Sequence, residues 1–198
     1  MEHRRKVPNP LALVVLAWLL TQPLHPYELG RRLQGSGQDR HIKYTRSSLY
    51  MVVERLERAG FIVEQETVRD GQRPERTVYA ITDTGRTEFY DWLRELVAQP
   101  QEEYPQFAVA LSLLSLLAPR EAVELLRKRH EALTVKAEET RKLMQEAIDN
   151  GVRWIFLVEE RYALAIMDAE GRYLTELTDS LTDPDYIRSW QETFGSLT

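Results

Sequence analysis

The stretch from Lys43 to Tyr79, KYTRSSLYMVVERLERAGFIVEQETVRDGQRPERTVY, decides the fold. Leu49, Val52, Val53 and Leu56 recur at helical spacing and give its opening helix a single apolar face. At 100° per residue, Ser47, Met51, Glu54 and Arg58 fall on the opposite side, with Ser48 and Tyr50 flanking them. Gly60 stands where a helix needs its left-handed C′ residue. Phe61-Ile62-Val63 and Val78-Tyr79-Ala80-Ile81 have strand composition, and the turn between them is polar and carries Gly71, Arg73, Pro74 and Arg76. A short helix with a small, polar N-terminal end, followed by a basic hairpin, is the layout of a winged helix that reads DNA.

Outward from this stretch, the chain organises into helices. Asn9-Pro10 offers a cap and a first-turn proline for a helix reaching about Thr21, apolar nearly all round and therefore expected at the centre of a core. His25-Pro26-Tyr27-Glu28-Leu29 opens a second helix, ended by Gly35-Ser36-Gly37. Thr45, Ser47 or Ser48 can cap the third. Thr82 or Asp83 caps a fourth, whose stripe is Phe89, Trp92, Leu93, Leu96 and Val97. The segment from Pro100 to Pro105 is the expected boundary between a winged helix-turn-helix domain at 1–100 and an all-helical domain at 101–198. The fold class is thus mainly α.

In the second half, Tyr104–Leu117 is rich in leucine on several faces and is expected to be heavily buried. Pro119 starts a long helix in which Val123, Leu126, His130, Leu133, Ala137, Thr140, Met144 and Ala147 step by three and four, a 3.5-residue repeat of coiled-coil type. Asn150-Gly151 breaks the chain. A helix then runs from Arg153 to about Leu181 with Trp154, Val158, Tyr162, Ala165, Ala169, Tyr173 and Leu177 on one side. A short helix after Asp183-Pro184 holds Trp190 and Phe194. Helices this long need tertiary or intersubunit packing. The expectation is a homodimer held by Leu126, Leu133, Met144, Trp154, Val158 and Tyr162; packing of the two stripes against each other within one chain is the alternative.

Composition narrows the function classes. The 198 residues carry a net charge of −5 and no cysteine, so disulfides, thiolate metal sites and cysteine nucleophiles are excluded. Residues 1–99 hold 15 Lys and Arg against 13 Asp and Glu, whereas residues 100–198 hold 11 against 18, which confines any phosphate contact to the first half. Arg4, Arg5 and Lys6 before the apolar run Leu11–Leu20 resemble a secretory signal. The run is shorter than the ~20 residues a bilayer span needs, and no small-x-small site follows. A buried first helix, a cytoplasmic protein and no membrane partner are expected.

Nothing points to catalysis. His3, His25, His41 and His130 stand in no metal-ligand spacing, and no nucleophile elbow, phosphate loop or dinucleotide fingerprint occurs. The pairs Glu102-Glu103, Glu138-Glu139 and Glu159-Glu160 point in different directions on a helix and cannot share a proton or metal. No catalytic residue, no metal and no cofactor are expected.

The expected partner is double-stranded DNA. A recognition helix meets base edges with its N-terminal turns, which here offer Lys43, Tyr44, Thr45, Arg46, Ser47, Ser48, Tyr50 and Met51. Arg46 is best equipped for bidentate contact with guanine. Arg69, Arg73 and Arg76 sit where a wing follows the phosphate backbone. Glu54 and Glu57 lie too far along the helix to be welcome near phosphate.

The motifs HPYEL at 25–29, SLY at 48–50, RLERAGFI at 55–62, GQRPERTVYAIT at 71–82 and TGR at 84–86 resemble the PadR family of bacterial winged-helix repressors, in order and spacing over residues 11–97. The chain departs from the family pattern at Pro26, Ser47 and Met51, where glycine, glycine and proline are usual. The resemblance implies that Ser48 and Tyr50 lie at the DNA-facing end, that Arg73 and Arg76 form the basic wing, and that the helical second half dimerises. The expected function is a homodimeric transcriptional regulator, a repressor on a pseudo-palindromic operator. A variant of that reading adds a small aromatic effector, for which Trp92, Trp154, Trp190, Tyr162 and Tyr173 are the rings available. A protein-interaction adaptor that keeps the fold without binding DNA is the rival from another class.

Overall fold

The structure, a computed structural model, describes residues 5–35, 42–68 and 76–195, with residues 66–68 and 76 described by their backbone alone. The chain divides into two compact units, Met1–Glu102 and Glu103–Thr198.

In the first unit, α1 spans Pro10–Leu19, α2 Pro26–Gly35 and α3 Arg46–Arg58. The strands β1 (Ile62–Val68) and β2 (Arg76–Ile81) follow, and α4 (Asp83–Ala98) completes the unit. The Asn9 side chain accepts from the Leu11 N–H and Pro10 occupies the first turn, so α1 starts where the sequence places it. Leu11, Ala12, Val15, Leu16 and Leu19 are buried, making α1 the central helix. Against it pack Leu29 and Leu33 from α2, and Leu49, Val52, Val53 and Leu56 from α3.

Gly60 adopts φ 78°, the left-handed conformation that ends α3 and turns the chain into β1. The strands pair antiparallel, Ile62 opposite Ile81 and Val63 opposite Ala80, with an irregularity between Glu64 and Glu66. Leu24 extends the sheet by a single bridge, its N–H and C=O exchanging bonds of 3.0 and 3.1 Å with Tyr79. The Thr82 hydroxyl donates to the Gly60 carbonyl at 2.7 Å and accepts from the Gly85 N–H at 3.0 Å, so one side chain caps α4 and closes the hairpin. On α4, Phe89 and Trp92 are buried, whereas Leu93, Leu96 and Val97 are exposed; the inward stripe is narrower than the sequence suggests. Arg5 ties the N-terminal segment to α4 by pairing with Glu88 at 2.7 Å and with Glu95, its guanidinium 5.2 Å from the Trp92 ring.

In the second unit, α5 spans Gln106–Ser112, α6 Pro119–Asp149, α7 Val158–Leu181 and α8 Pro184–Phe194. A 3-10 turn at Trp154–Leu157 precedes α7, so the helix expected from Arg153 begins later. Gly151 at φ 83° makes the reversal between α6 and α7. The two long helices run antiparallel, held by Arg129–Glu170 at 2.5 Å and Arg141–Asp168 at 2.6 Å. Their core joins Ala122, Val123 and Leu126 to Leu174 and Leu181. Trp190 of α8 donates its ring N–H to the Ser115 carbonyl at 2.8 Å.

One expectation about this unit is corrected. Tyr104–Leu117 is not heavily buried: it breaks into α5 and a 3-10 turn at Leu114–Leu116, and Tyr104, Val109, Leu113 and Leu116 are exposed because leucines on every side outnumber the surfaces available to cover them. The repeat on α6 is used within the chain. Leu126 is 3% exposed and packs with Leu174 and Leu181, Leu133 leans on the same cluster, and Ala137 is buried. Leu126 and Leu133 therefore pack on the α6–α7 core within the chain. Met144 is half-buried.

No helix among the described residues is long and apolar enough to cross a membrane.

Candidate nucleic-acid interface

The site is built on the N-terminal turn of α3. Thr45 caps it in extended conformation at φ −119°. Its N–H donates to the Ser48 hydroxyl oxygen at 2.8 Å, the Ser48 N–H donates to the Thr45 hydroxyl at 3.1 Å, and the Ser48 hydroxyl donates to the Thr45 carbonyl at 2.9 Å. This reciprocal capping box satisfies backbone groups that a helix start leaves open. It also fixes the Ser48 hydroxyl, which accepts from one Thr45 backbone group and donates to the other. Of the expected caps Thr45, Ser47 and Ser48, it is Thr45 and Ser48 that form the cap together.

Tyr44 is half-buried against the core, with its hydroxyl donating to the Gly30 carbonyl of α2 at 3.3 Å. It anchors the approach to α3. Lys43, Arg46, Ser47 and Met51 are exposed and Tyr50 is half-buried. Lys43, Tyr44, Thr45, Arg46 and Ser48 share a surface cleft of 740 Å³ with Gln34 and Ile42. Arg73 lies outside the described residues, as does Arg69, and Arg76 is described by its backbone alone, as the first residue of β2.

Arg46 has neighbours that the sequence does not announce in full. Its guanidinium carbon lies 5.7 Å from the Tyr27 ring centroid and 5.9 Å from that of Tyr50. Tyr50 follows Arg46 by four residues, one helical turn, so their spacing brings the two together. Tyr27 comes from the start of α2, where the Tyr27 N–H donates to His25 Nδ1 at 3.0 Å. Only the packing of α2 against α3 brings Tyr27 to Arg46; the sole signal in the sequence is a tyrosine in the HPYEL segment.

Farther along α3, Glu54 and Glu57 alternate with Arg55 and Arg58. Glu54 pairs with Arg58 at 2.9 Å. The Tyr79 phenol has its pKa raised, first by burial and then by the charges of Glu57, Glu64 and Glu54. The carboxylates of these turns disfavour phosphate, whereas the first turn carries Arg46 and no carboxylate, which suits phosphate better.

The rings considered for an effector are divided between the two units. Trp92 is in the core of the first unit under Arg5 and Trp190 is buried in the second, while Trp154, Tyr162 and Tyr173 are exposed. A cleft of 380 Å³ between α6 and α7 is lined by His130, Ala137, Arg141, Met167, Asp168 and Arg172 among others, and by none of those five rings. No group of three His, Asp or Glu able to hold a metal occurs among the described residues.

Residues 15–91 match the transcriptional regulator PadR-like family. A negative transcriptional regulator PadR of Bacillus subtilis (strain 168) is 30% identical over 105 residues, which span 51% of this chain and 57% of that relative, so the match covers little over half of its length. The fold as a whole is similar to that of Bacillus subtilis PadR crystallised with operator DNA, with a TM-score of 0.71 at 18% identity over 87% of this chain and 99% of the other. The same protein crystallised with p-coumaric acid gives 0.68 at 20% identity, over 87% and 99%.

Proposed function

We propose that this chain, which belongs to the PadR-like family of transcriptional regulators through its N-terminal unit, binds double-stranded DNA in the cytoplasm as a homodimer and represses transcription from a pseudo-palindromic operator. The observation that carries this reading is the first two turns of α3. Arg46, Ser47 and Met51 face solvent there, the hydroxyls beneath them fix the helix start, and the carboxylates are kept to the far turns. The wing, with Arg73 and Arg76, supplies phosphate contacts and so affinity at any sequence.

The outer side of the second unit supports pairing. With the α6 repeat turned inward, α7 and the turn before it leave Trp154, Phe156, Val158, Tyr162, Ile166 and Tyr173 exposed. Exposed apolar side chains repeating at helical spacing, Val158, Tyr162, Ile166 and Tyr173, support an interaction site there. Two symmetric copies place two α3 helices about one DNA turn or a multiple apart. Trp154, Val158 and Tyr162 keep their expected role in the interface; Leu126 and Leu133 act inside the protomer.

The test is a binding titration of the purified full chain on its own promoter region and on a random duplex at moderate salt. Preference for the promoter fragment, falling steeply with salt, is the expected result. Equal binding to both removes the operator reading, and retention of a protein partner without DNA favours the adaptor.

The p-coumaric acid complex of a protein with this fold favours a second reading, in which an aromatic acid releases the repressor. Tryptophan fluorescence titrated with a panel of phenolic acids decides it, and a flat response throughout retires it.

A further inference from the structure

Among the described residues, no carboxylate pairs with Arg46, whereas Arg58 pairs with Glu54, Arg94 with Asp91 and Arg5 with Glu88. The neighbours of Arg46 are two rings, one from each helix of the helix-turn-helix, at 5.7 and 5.9 Å from the guanidinium carbon. A ring face attracts a guanidinium while leaving its in-plane N–H donors free, which a carboxylate does not.

Both tyrosines stand on fixed backbone. Tyr50 sits on the helix that carries Arg46, one residue after the buried Leu49. The Tyr27 backbone is fixed at the start of α2 by the bond from its N–H to His25 Nδ1, and the residue is 48% exposed. An arginine on a helix end otherwise samples many rotamers, and ordering it on binding costs free energy that a prearranged side chain does not lose.

We infer that Tyr27 and Tyr50 form an aromatic bracket that holds the Arg46 guanidinium extended with its fork outward, and that Tyr27 thereby determines base specificity without itself touching a base. The inference rests on the reading of α3 as the DNA-reading helix and names the recognised group: the N7 and O6 acceptors of one guanine in the major groove. Tyr27 is a positioning residue. The charge of Arg46 alone suffices for phosphate attraction, so the bracket affects discrimination between sequences and leaves the salt dependence unchanged.

The experiment starts from the duplex that the wild-type full chain enriches out of a randomised pool. Each guanine of that duplex is replaced in turn by 7-deazaguanine, which lacks the N7 acceptor. Wild type, Tyr27→Phe, Tyr27→Leu, Arg46→Ala and the Tyr27→Leu/Arg46→Ala double variant are titrated on every duplex. One guanine per half-site is expected to cost wild type about tenfold in affinity when its N7 is removed, and to cost Arg46→Ala nothing. Tyr27→Phe keeps the ring and retains that discrimination, whereas Tyr27→Leu reduces it by about fivefold. The double variant behaves as Arg46→Ala alone, and the salt slope of Tyr27→Leu equals that of wild type.

Full guanine discrimination in Tyr27→Leu, or independent losses in the double variant, overturns the bracket. A Tyr27→Phe variant as weak as Tyr27→Leu overturns it too, since the hydroxyl is then the active group. Failure of wild type to enrich any sequence instead overturns the DNA reading on which the bracket rests, so the two failures are distinguishable.

Discussion

Gly85, in the first turn of α4, lies directly over the carbonyl of Phe61: a Cβ built on it would stand 1.9 Å from the Phe61 oxygen. This approach lets Thr82 reach the Gly60 carbonyl and lets α4 seal the base of the hairpin. Backbone cannot yield as a side-chain tip can. Gly85→Ala is expected to destabilise the first unit by roughly 2–4 kcal/mol. Urea unfolding followed by circular dichroism checks it; a change within error would mean that the contact relaxes at no cost.

The capping box predicts a division of labour among three neighbouring hydroxyls. Thr45→Ala removes the acceptor for the Ser48 N–H and is expected to cost about 1 kcal/mol of stability. Ser47, exposed and outside the box, is expected to be neutral in stability within about 0.5 kcal/mol when replaced by Ala. Thermal melts of the two variants separate these outcomes. If Ser47→Ala nevertheless weakens DNA binding, Ser47 is the hydroxyl that meets DNA.

Much of the first unit is legible in the sequence because its local signals agree. The Asn9-Pro10 start, the 3.6-residue face of α3, the left-handed Gly60 and the Thr82 cap each point to the same element as the tertiary structure does. The α6 repeat is visible but ambiguous. A 3.5-residue stripe serves a partner chain and a neighbouring helix equally well, and α7 satisfies it in the protomer. The reverse holds on α7: the aromatic side that reads as a packing stripe is exposed, and the buried side is Met167, Leu174, Thr178 and Leu181. At the site, spacing alone pairs Arg46 with Tyr50, but it cannot reach Tyr27. The position of Tyr27 depends on the angle between α2 and α3, which no periodicity records. The cap of α3 is legible as one of three hydroxyls, and the fold uses Thr45 with Ser48 because they stand three residues apart, the spacing of a reciprocal capping box.

Arg46 and Arg73 are expected to fail differently. Arg46→Ala relaxes preference by about 1–3 kcal/mol at one base position while binding to random duplex changes little. Arg73→Ala weakens all sequences alike and lowers the salt slope by about 1. Competition titrations at two salt concentrations measure both quantities. Identical behaviour of the two variants would remove the distinction between reading helix and wing.

Tyr79 gives the first unit a pH limit on the alkaline side. Burial and the nearby Glu57, Glu64 and Glu54 raise its pKa, so the folded state favours the neutral phenol more than the unfolded chain does. A pKa raised on folding contributes stability that is complete below the unfolded value near 10 and is lost as pH rises through it toward the folded value. Tyr79→Phe cannot ionise. The stability difference between wild type and Tyr79→Phe is expected to move in favour of the variant between about pH 9 and pH 11. A difference constant across that range would show that the phenol titrates alike in both states.

The second unit separates the residues that fold it from those that pair it. Leu126 is buried between α6 and α7, so Leu126→Ala is expected to cost roughly 2–5 kcal/mol of stability and to leave association intact in the fraction that folds. Trp154 is 63% exposed and Tyr162 68% exposed in the single chain, so a Trp154→Glu/Tyr162→Glu double variant places charges on surface and should fold normally. In a homodimer built on that surface the same charges are buried without partners and repel across the two-fold axis. The expected result is a monomer with unchanged helicity by sedimentation equilibrium and circular dichroism, and with DNA affinity reduced to that of one half-site. A double variant that remains dimeric would move the interface off the α7 stripe, to another exposed surface such as Val109, Leu113 and Leu116 around α5.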